Sequence, residues 1–139
     1  MSLADEVGGG LDGLSQLRML MASGRKPGIL VALDFEFVEV ETGRAVFAGT
    51  PGKHVYNPIG TVHGGYAATL LDSACGCAVH SRLTASQAYT TLDLKVAYHK
   101  PITKDTGLLR WWADPIAALI MVPIIAKEGI DGITTRTCG

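Results

Sequence analysis

Apolar and polar residues repeat with two different periods along this chain, and these periods divide it into elements. Leucine and methionine recur at helical spacing over residues 11–23, and the Gly- and Pro-containing residues 24–28 follow, which predicts a short amphipathic helix and a turn. Apolar and polar residues largely alternate over residues 33–40, and the turn sequence Glu41-Thr42-Gly43-Arg44 leads into residues 45–50. This pattern predicts an antiparallel hairpin.

A longer stretch from Gly64 to about Leu83 is small or apolar on nearly every side, which is typical of a helix buried on most of its surface. One carboxylate, Asp72, lies inside this stretch, although burying an unpaired charge is costly. Over residues 90–99, Leu92, Leu94, Val96 and Tyr98 then alternate with mainly polar residues, which predicts a strand with one covered face. The order helix, strand, strand, buried helix, strand predicts an α+β domain in which an antiparallel sheet wraps around a central helix.

The composition limits what the chain can bind. Its 139 residues suit a single domain over residues 1–139, and 12 basic against 13 acidic residues give no sign of a nucleic-acid or membrane surface. The N-terminus lacks the basic and apolar regions of a secretory signal, so we expect a cytoplasmic protein. Three cysteines without a second pair predict reduced, structural thiols and no zinc site. Small molecules and copies of the chain itself are the expected partners.

Two segments carry a resemblance to a known family: YNPIGTVHGGYAATLLDSACGCAVH and, after it, YTTLDLKVAYHKPITKDTG. Together with the element order they resemble the hotdog-fold acyl-CoA thioesterases of the phenylacetic-acid-degradation (PaaI-like) type, over roughly residues 14–107. Asn57, the triplet His63-Gly64-Gly65 and Asp72 fall at the spacing of that family's motif. The resemblance implies a hotdog fold, no metal or cofactor, and hydrolysis of an acyl-CoA or related thioester by a dimer or a dimer of dimers.

The resemblance also implies roles for individual residues. Asp72 would be the general base or nucleophile, while Asn57 and the amide of Gly64 would hold the thioester carbonyl and the lytic water. Thr91, or Thr90 if the register slips by one, would position that water. His63 is either a further site residue or a helix cap. An amide at a helix start suits the developing negative charge on a carbonyl oxygen.

The spacing of two of these residues has a geometric consequence. Gly64 and Asp72 are eight positions apart, which is about 12 Å along a helix. One carbonyl group cannot touch both residues of the same helix. The expected site therefore combines residues of two protomers.

Residues 108–139 depart from the family pattern. They resemble the final membrane helix of cation diffusion facilitator transporters, but the apolar run Ile116–Ala126 has 11 residues and contains Pro123, well short of the roughly 18 that a membrane span needs. A frameshift or gene fusion near Leu108 is our hypothesis, and it predicts an incomplete or altered end of the sheet. Two alternatives stay open: a hotdog hydratase or dehydratase that uses His63 with Asp72, or an inactive remnant that binds acyl-CoA.

Overall fold

The structure is a computed structural model that describes residues 3–113. Three helices come first along the chain: α1 (Leu3–Gly8), α2 (Gly13–Ser23) and α3 (Gly28–Ala32). The predicted first helix is confirmed as α2. It begins where the Asp12 side chain accepts a hydrogen bond from the Ser15 amide at 3.1 Å, and it ends at Gly24 in the left-handed conformation, with φ of 68°. Neither α1 nor α3 was predicted, because helices this short carry too few turns for a periodic pattern.

The predicted hairpin is confirmed as β1 (Phe35–Glu41) and β2 (Arg44–Gly49), paired antiparallel around the turn at Gly43. The register shifts between Phe37 and Glu39, which marks a β-bulge. Phe35 and Val40 are both buried although they are five residues apart. The bulge explains this, because one extra residue moves the alternation from one face of the strand to the other.

The third strand, β3 (Leu109–Ala113), pairs antiparallel with β2, so the sheet order is β1-β2-β3. β2 is the central strand, and its residues 45–48 are all buried. We expected the sheet to be altered from Leu108 onward, and the structure instead includes the first part of that tail in the sheet. The expected apolar run of residues 116–126 lies outside the described residues. Two 3-10 helices, Lys53–Val55 and Lys104–Thr106, lie in the connecting loops.

The long central helix is confirmed as α4 (Gly64–His80), which ends three residues earlier than predicted. Tyr66, Leu70, Ala74 and Ala78 recur at intervals of four and form the core with Phe35, Phe47 and other sheet residues. The helix is less fully buried than predicted. Its other faces are half-buried, with only Gly65 and Val79 exposed, because the sheet covers a single face.

The predicted strand over residues 90–99 is also wrong, since this segment has no regular secondary structure. A strand requires a neighbour that exchanges backbone hydrogen bonds with it, and none of β1, β2 or β3 pairs with this segment. Leu92, expected on a covered face, is 92% exposed. The segment instead crosses α4, where Tyr89 lies against Gly76 and Tyr98 against Gly64. We call residues 87–99 the crossing segment.

Candidate active site

The Asn57 side chain organises the loop that leads to α4. Its Oδ1 accepts hydrogen bonds from the amides of Ile59 and Thr61 at 3.2 and 3.1 Å, and its Nδ2 donates to the Thr61 hydroxyl at 2.8 Å. Asn57 therefore serves as a turn residue in this loop. An asparagine amide has two hydrogens to donate. One Nδ2 hydrogen is thus left for a further acceptor.

The start of α4 leaves one backbone donor available. The His63 side chain caps the helix, because its Nδ1 accepts from the Gly65 amide at 2.9 Å, and the Tyr66 amide donates to the His63 carbonyl at 3.0 Å. The amide of Gly64 has no hydrogen-bond partner among residues 3–113. At a helix N-terminus, free amides and the helix dipole both favour negative charge. The Gly64 amide is therefore suited to a carbonyl oxygen that gains negative charge.

Asp72 lies in the middle of α4 and is half-buried, which is more accessible than the enclosed position expected from the sequence. The Thr91 hydroxyl donates a hydrogen bond to Asp72 Oδ1 at 2.9 Å. Of the two threonines considered, Thr91 is thus the one that meets the carboxylate. It reaches Asp72 from the crossing segment and not from a strand.

Three residues of the crossing segment meet α4 in reverse chain order: Tyr89 at Gly76, Thr91 at Asp72 and Tyr98 at Gly64. The Tyr98 hydroxyl also donates to the Gly64 carbonyl. Sequence reasoning missed both tyrosines as neighbours of the site. The available signal was the pair of helix glycines, Gly64 and Gly76, because a Cβ at either position would lie within 3.2 Å of a tyrosine atom.

The structure places Gly64 and Asp72 in the same unbroken helix, so the separation of about 12 Å expected from the sequence holds within one chain. Asn57 and Gly64 lie at the helix start, whereas Asp72 and Thr91 lie two turns further along. A single chain therefore presents two candidate half-sites: the donors at the helix start and the carboxylate with its hydroxyl partner.

Two cavities adjoin the helix start. One, of about 300 Å³, is lined by Gly64, Tyr98, Lys100 and neighbouring residues. The other, of about 410 Å³, runs between α4 and β3 and is walled mainly by apolar side chains. Tyr98, His99, Lys100 and Ile102 line both cavities. The ionisable side chains with basic character along them are His99, Lys100 and Arg110, and no described acidic residue lines either one.

The two cysteines beside Asp72 are poor nucleophiles. Burial raises the pKa of Cys77 to about 12, and burial followed by the charge of Asp72 raises the pKa of Cys75. Since the thiolate is the reactive form, both thiols stay protonated and unreactive at neutral pH. Within residues 3–113 both cysteines are free, and no cluster of three or more His, Cys, Asp and Glu side chains is placed to hold a metal ion. None of the helices in this part of the chain combines the length and apolar character needed to cross a membrane.

Residues 59–110 match the family model described as the thioesterase superfamily. An esterase of Halobacterium salinarum, assigned provisionally, is 50% identical over 48 residues, which are 33% of this chain and 32% of that protein. The chain thus matches about a third of the length of this curated relative.

Solved structures share the fold. A phenylacetic acid degradation-related protein of Ralstonia eutropha, provisionally assigned as a thioesterase, has a TM-score of 0.60 at 26% identity, over 70% of this chain and 74% of that one. The PaaI protein from the phenylacetic acid degradation operon of E. coli has a TM-score of 0.60 at 21% identity, over 73% of this chain and 70% of that one. A conserved protein of Pseudomonas aeruginosa has a TM-score of 0.58 at 24% identity, over 64% of this chain and 70% of that one.

The resemblance found in the sequence and the expected α+β hotdog fold are confirmed by these comparisons. The site geometry agrees with them, because the helix that carries Gly64 and Asp72 begins inside the matched residues. Residues 59–110 thus resemble the thioesterase superfamily, and the chain has a hotdog fold similar to that of the phenylacetic acid degradation proteins.

Proposed function

We propose that this protein is a thioesterase that hydrolyses an acyl-CoA or a related acyl thioester to a free acid and a thiol. The observation that carries the proposal is the Gly64 amide at the start of α4, which has no partner among the described residues, on the same helix as Asp72 with its Thr91 hydrogen bond. The family match supports hydrolysis of this class of bond.

In the proposed reaction the thioester carbonyl oxygen accepts hydrogen bonds from the Gly64 amide and the remaining Nδ2 hydrogen of Asn57. These donors stabilise the negative charge that develops on the oxygen, and loss of one such donor typically costs about 3 kcal/mol of transition-state stabilisation. Asp72 takes a proton from a water held by Thr91, and the water oxygen bonds to the carbonyl carbon. The carbon–sulfur bond then breaks, and the thiolate takes up a proton as it leaves. In a variant of this scheme Asp72 attacks the carbon directly.

We propose that the site is completed by a second copy of the chain, in a dimer or a dimer of dimers. The separation between the two half-sites supports this, because the Asp72 carboxylate of one chain is too far from its own Gly64 amide. The crossing segment provides a surface for such pairing, since Leu92 and Leu94 are exposed in the described part of the chain. The oligomer would act in the cytoplasm.

The two cavities favour CoA as the thiol carrier. Lys100 and Arg110 make no ion pair with another described residue, and the cavities they line carry no described acidic side chain. Such cationic side chains suit the phosphates of CoA, while the apolar wall of the larger cavity suits an acyl chain. We therefore expect acyl-CoA to be hydrolysed with a lower KM than the same acyl group on N-acetylcysteamine, which has no phosphate.

The decisive experiment is thiol release from a panel of acyl-CoAs by the full chain and by Asp72→Asn. The variant keeps the side-chain volume but loses the base, so kcat should fall by at least about 100-fold while the fold persists. Thr90→Val is the matched control, because Thr90 neighbours the Thr91 contact without making it. Wild-type turnover in Asp72→Asn would contradict the role of Asp72.

Two other outcomes separate the alternatives. Conversion of a 3-hydroxyacyl thioester without thiol release would identify a hydratase or dehydratase, which would need His63 as a proton carrier even though its Nδ1 is engaged by Gly65. Binding of acyl-CoA without turnover would identify an inactive remnant.

A further inference from the structure

The peptide bond between Gly64 and Gly65 is held at both ends by side chains. Its N–H, which belongs to Gly65, donates to His63 Nδ1 at 2.9 Å. Its carbonyl, which belongs to Gly64, accepts a hydrogen bond from the Tyr98 hydroxyl, 34 residues away in the chain. One contact is local and the other joins the crossing segment to the helix start.

The Tyr98 ring adds a packing contact to the same residue. A Cβ at position 64 would lie 3.2 Å from Cζ and 3.3 Å from the hydroxyl oxygen of Tyr98, closer than ordinary van der Waals contact. A larger residue at position 64 would push the ring away by a few tenths of an ångström. Two adjacent glycines at a helix start have more backbone freedom than any other pair of residues. Contacts from both sides restrict that freedom.

We propose that Tyr98, acting with His63, is a positioning residue that orients the Gly64 amide. This inference rests on the proposed function, in which that amide donates to the thioester carbonyl. Such a donor is effective only when it already points at the position where charge develops, so that no reorganisation is needed during the reaction. Fixing the Gly64–Gly65 peptide at both ends fixes the backbone angles of Gly64 and, through them, the direction of its N–H. In this role neither side chain touches a reacting atom.

We call the two hydrogen bonds that hold the Gly64–Gly65 peptide the clamp. The one made by His63 also determines which of its ring nitrogens carries the proton. Because Nδ1 accepts the Gly65 amide, the ring carries its proton on Nε2. In this contact His63 serves as a hydrogen-bond acceptor and helix cap. Asparagine is also a good helix cap, so His63→Asn should keep the hydrogen bond to the Gly65 amide, whereas His63→Ala should lose it.

Steady-state kinetics test the catalytic part of the inference. Tyr98→Phe keeps the ring and removes the hydroxyl, so we expect kcat to fall about tenfold, with KM within about twofold of wild type. His63→Ala should lower kcat similarly, and His63→Asn should restore most of it. Tyr89→Phe is the matched control, since its hydroxyl lies at Gly76, far from the helix start. An equal loss in Tyr89→Phe, or a Tyr98→Phe effect confined to KM, would overturn the positioning role.

The amide resonance of Gly65 tests the clamp without any activity measurement, because its nitrogen belongs to the peptide that Tyr98 contacts. In the full-length protein, Tyr98→Phe should shift the ¹⁵N resonance of Gly65 and leave amides in the middle of α4 unchanged. An unshifted Gly65 resonance would overturn the clamp. If Tyr98→Phe shifts the Gly65 resonance as expected but the wild-type protein releases no thiol from any acyl-CoA, the proposed function is overturned instead.

Discussion

The two parts of the candidate site are built in opposite ways. The loop and helix start, residues 55–65, are held by hydrogen bonds between near neighbours in the chain, such as those from Asn57 to Thr61 and from His63 to Gly65. The crossing segment is held by contacts with residues 19 and 34 positions away, at Asp72 and Gly64. The first part is therefore specified mainly by local contacts, to which the distant residues Ile102 and Tyr98 add one hydrogen bond each, whereas the second part depends on the fold around it.

This difference has consequences for stability within the site. Backbone groups that lack a partner and side chains that are exposed mark the parts of a protein that open most readily. The amides of residues 88–94 have no backbone partner in the described part of the chain, whereas those of α4 lie inside a helix. The donors at the helix start should thus be rigid. The position of Thr91, the hydroxyl partner of Asp72, should instead depend on the few contacts that hold the crossing segment against α4.

Hydrogen exchange should show the largest contrast. In dilute protein we expect amides of residues 88–94 to exchange on the order of 1,000-fold faster than those of residues 70–78 in α4, because the latter open only through unfolding of the helix. The measurement is exchange followed by peptide mass spectrometry over a dilution series. Protection of 88–94 that rises with concentration would support pairing with a second copy. Equal protection of both regions at every dilution would show that the segment is held as firmly as the helix within one chain.

Removing the Asn57 side chain should have the next largest effect. Asn57→Ala deletes three hydrogen bonds within the loop, so we expect the free energy of unfolding to fall by about 2 kcal/mol. Asn57→Asp keeps both acceptor bonds and should lose about half as much. Urea denaturation of the three proteins measures this. If the free energy of unfolding of Asn57→Ala equalled that of wild type, the local hydrogen bonds would not hold the loop. The contrast between a locally held loop and the crossing segment would then be wrong.

The smallest expected effect is on the reactivity of Cys77. Burial raises its pKa to about 12, so the thiol carries little thiolate at pH 8. Tyr89→Ala removes the ring that lies against the neighbouring Gly76, which should admit water, lower the pKa and so increase the thiolate fraction. We expect about tenfold faster alkylation of Cys77 at pH 8, measured by peptide mass spectrometry, and further acceleration as the pH rises. An unchanged rate would show that the crossing segment does not shield this face of α4.

Elements with a local signal were predicted well. The helix α2 had a capping aspartate and a terminal glycine, and the hairpin had alternating strands around a turn at Gly43. The bulge near Val38 and the single-turn helices had no such signal. Residues 90–99 show the limit most clearly, because their alternation indicates a strand, whereas strand structure depends on a neighbour that the segment itself does not contain.

The sequence by itself determined the motif residues Asn57, Gly64 and Asp72, the helix that joins the last two, and the distance that separates them. These follow from local propensities, from the rise of a helix and from the family pattern. Only the tertiary structure decided that Thr91 meets Asp72 and that Tyr98 meets Gly64. The reason is physical: a hydrogen bond between residues far apart in the chain requires the intervening chain to fold back. That path is set by the packing of α4 on the sheet and has no short-range pattern.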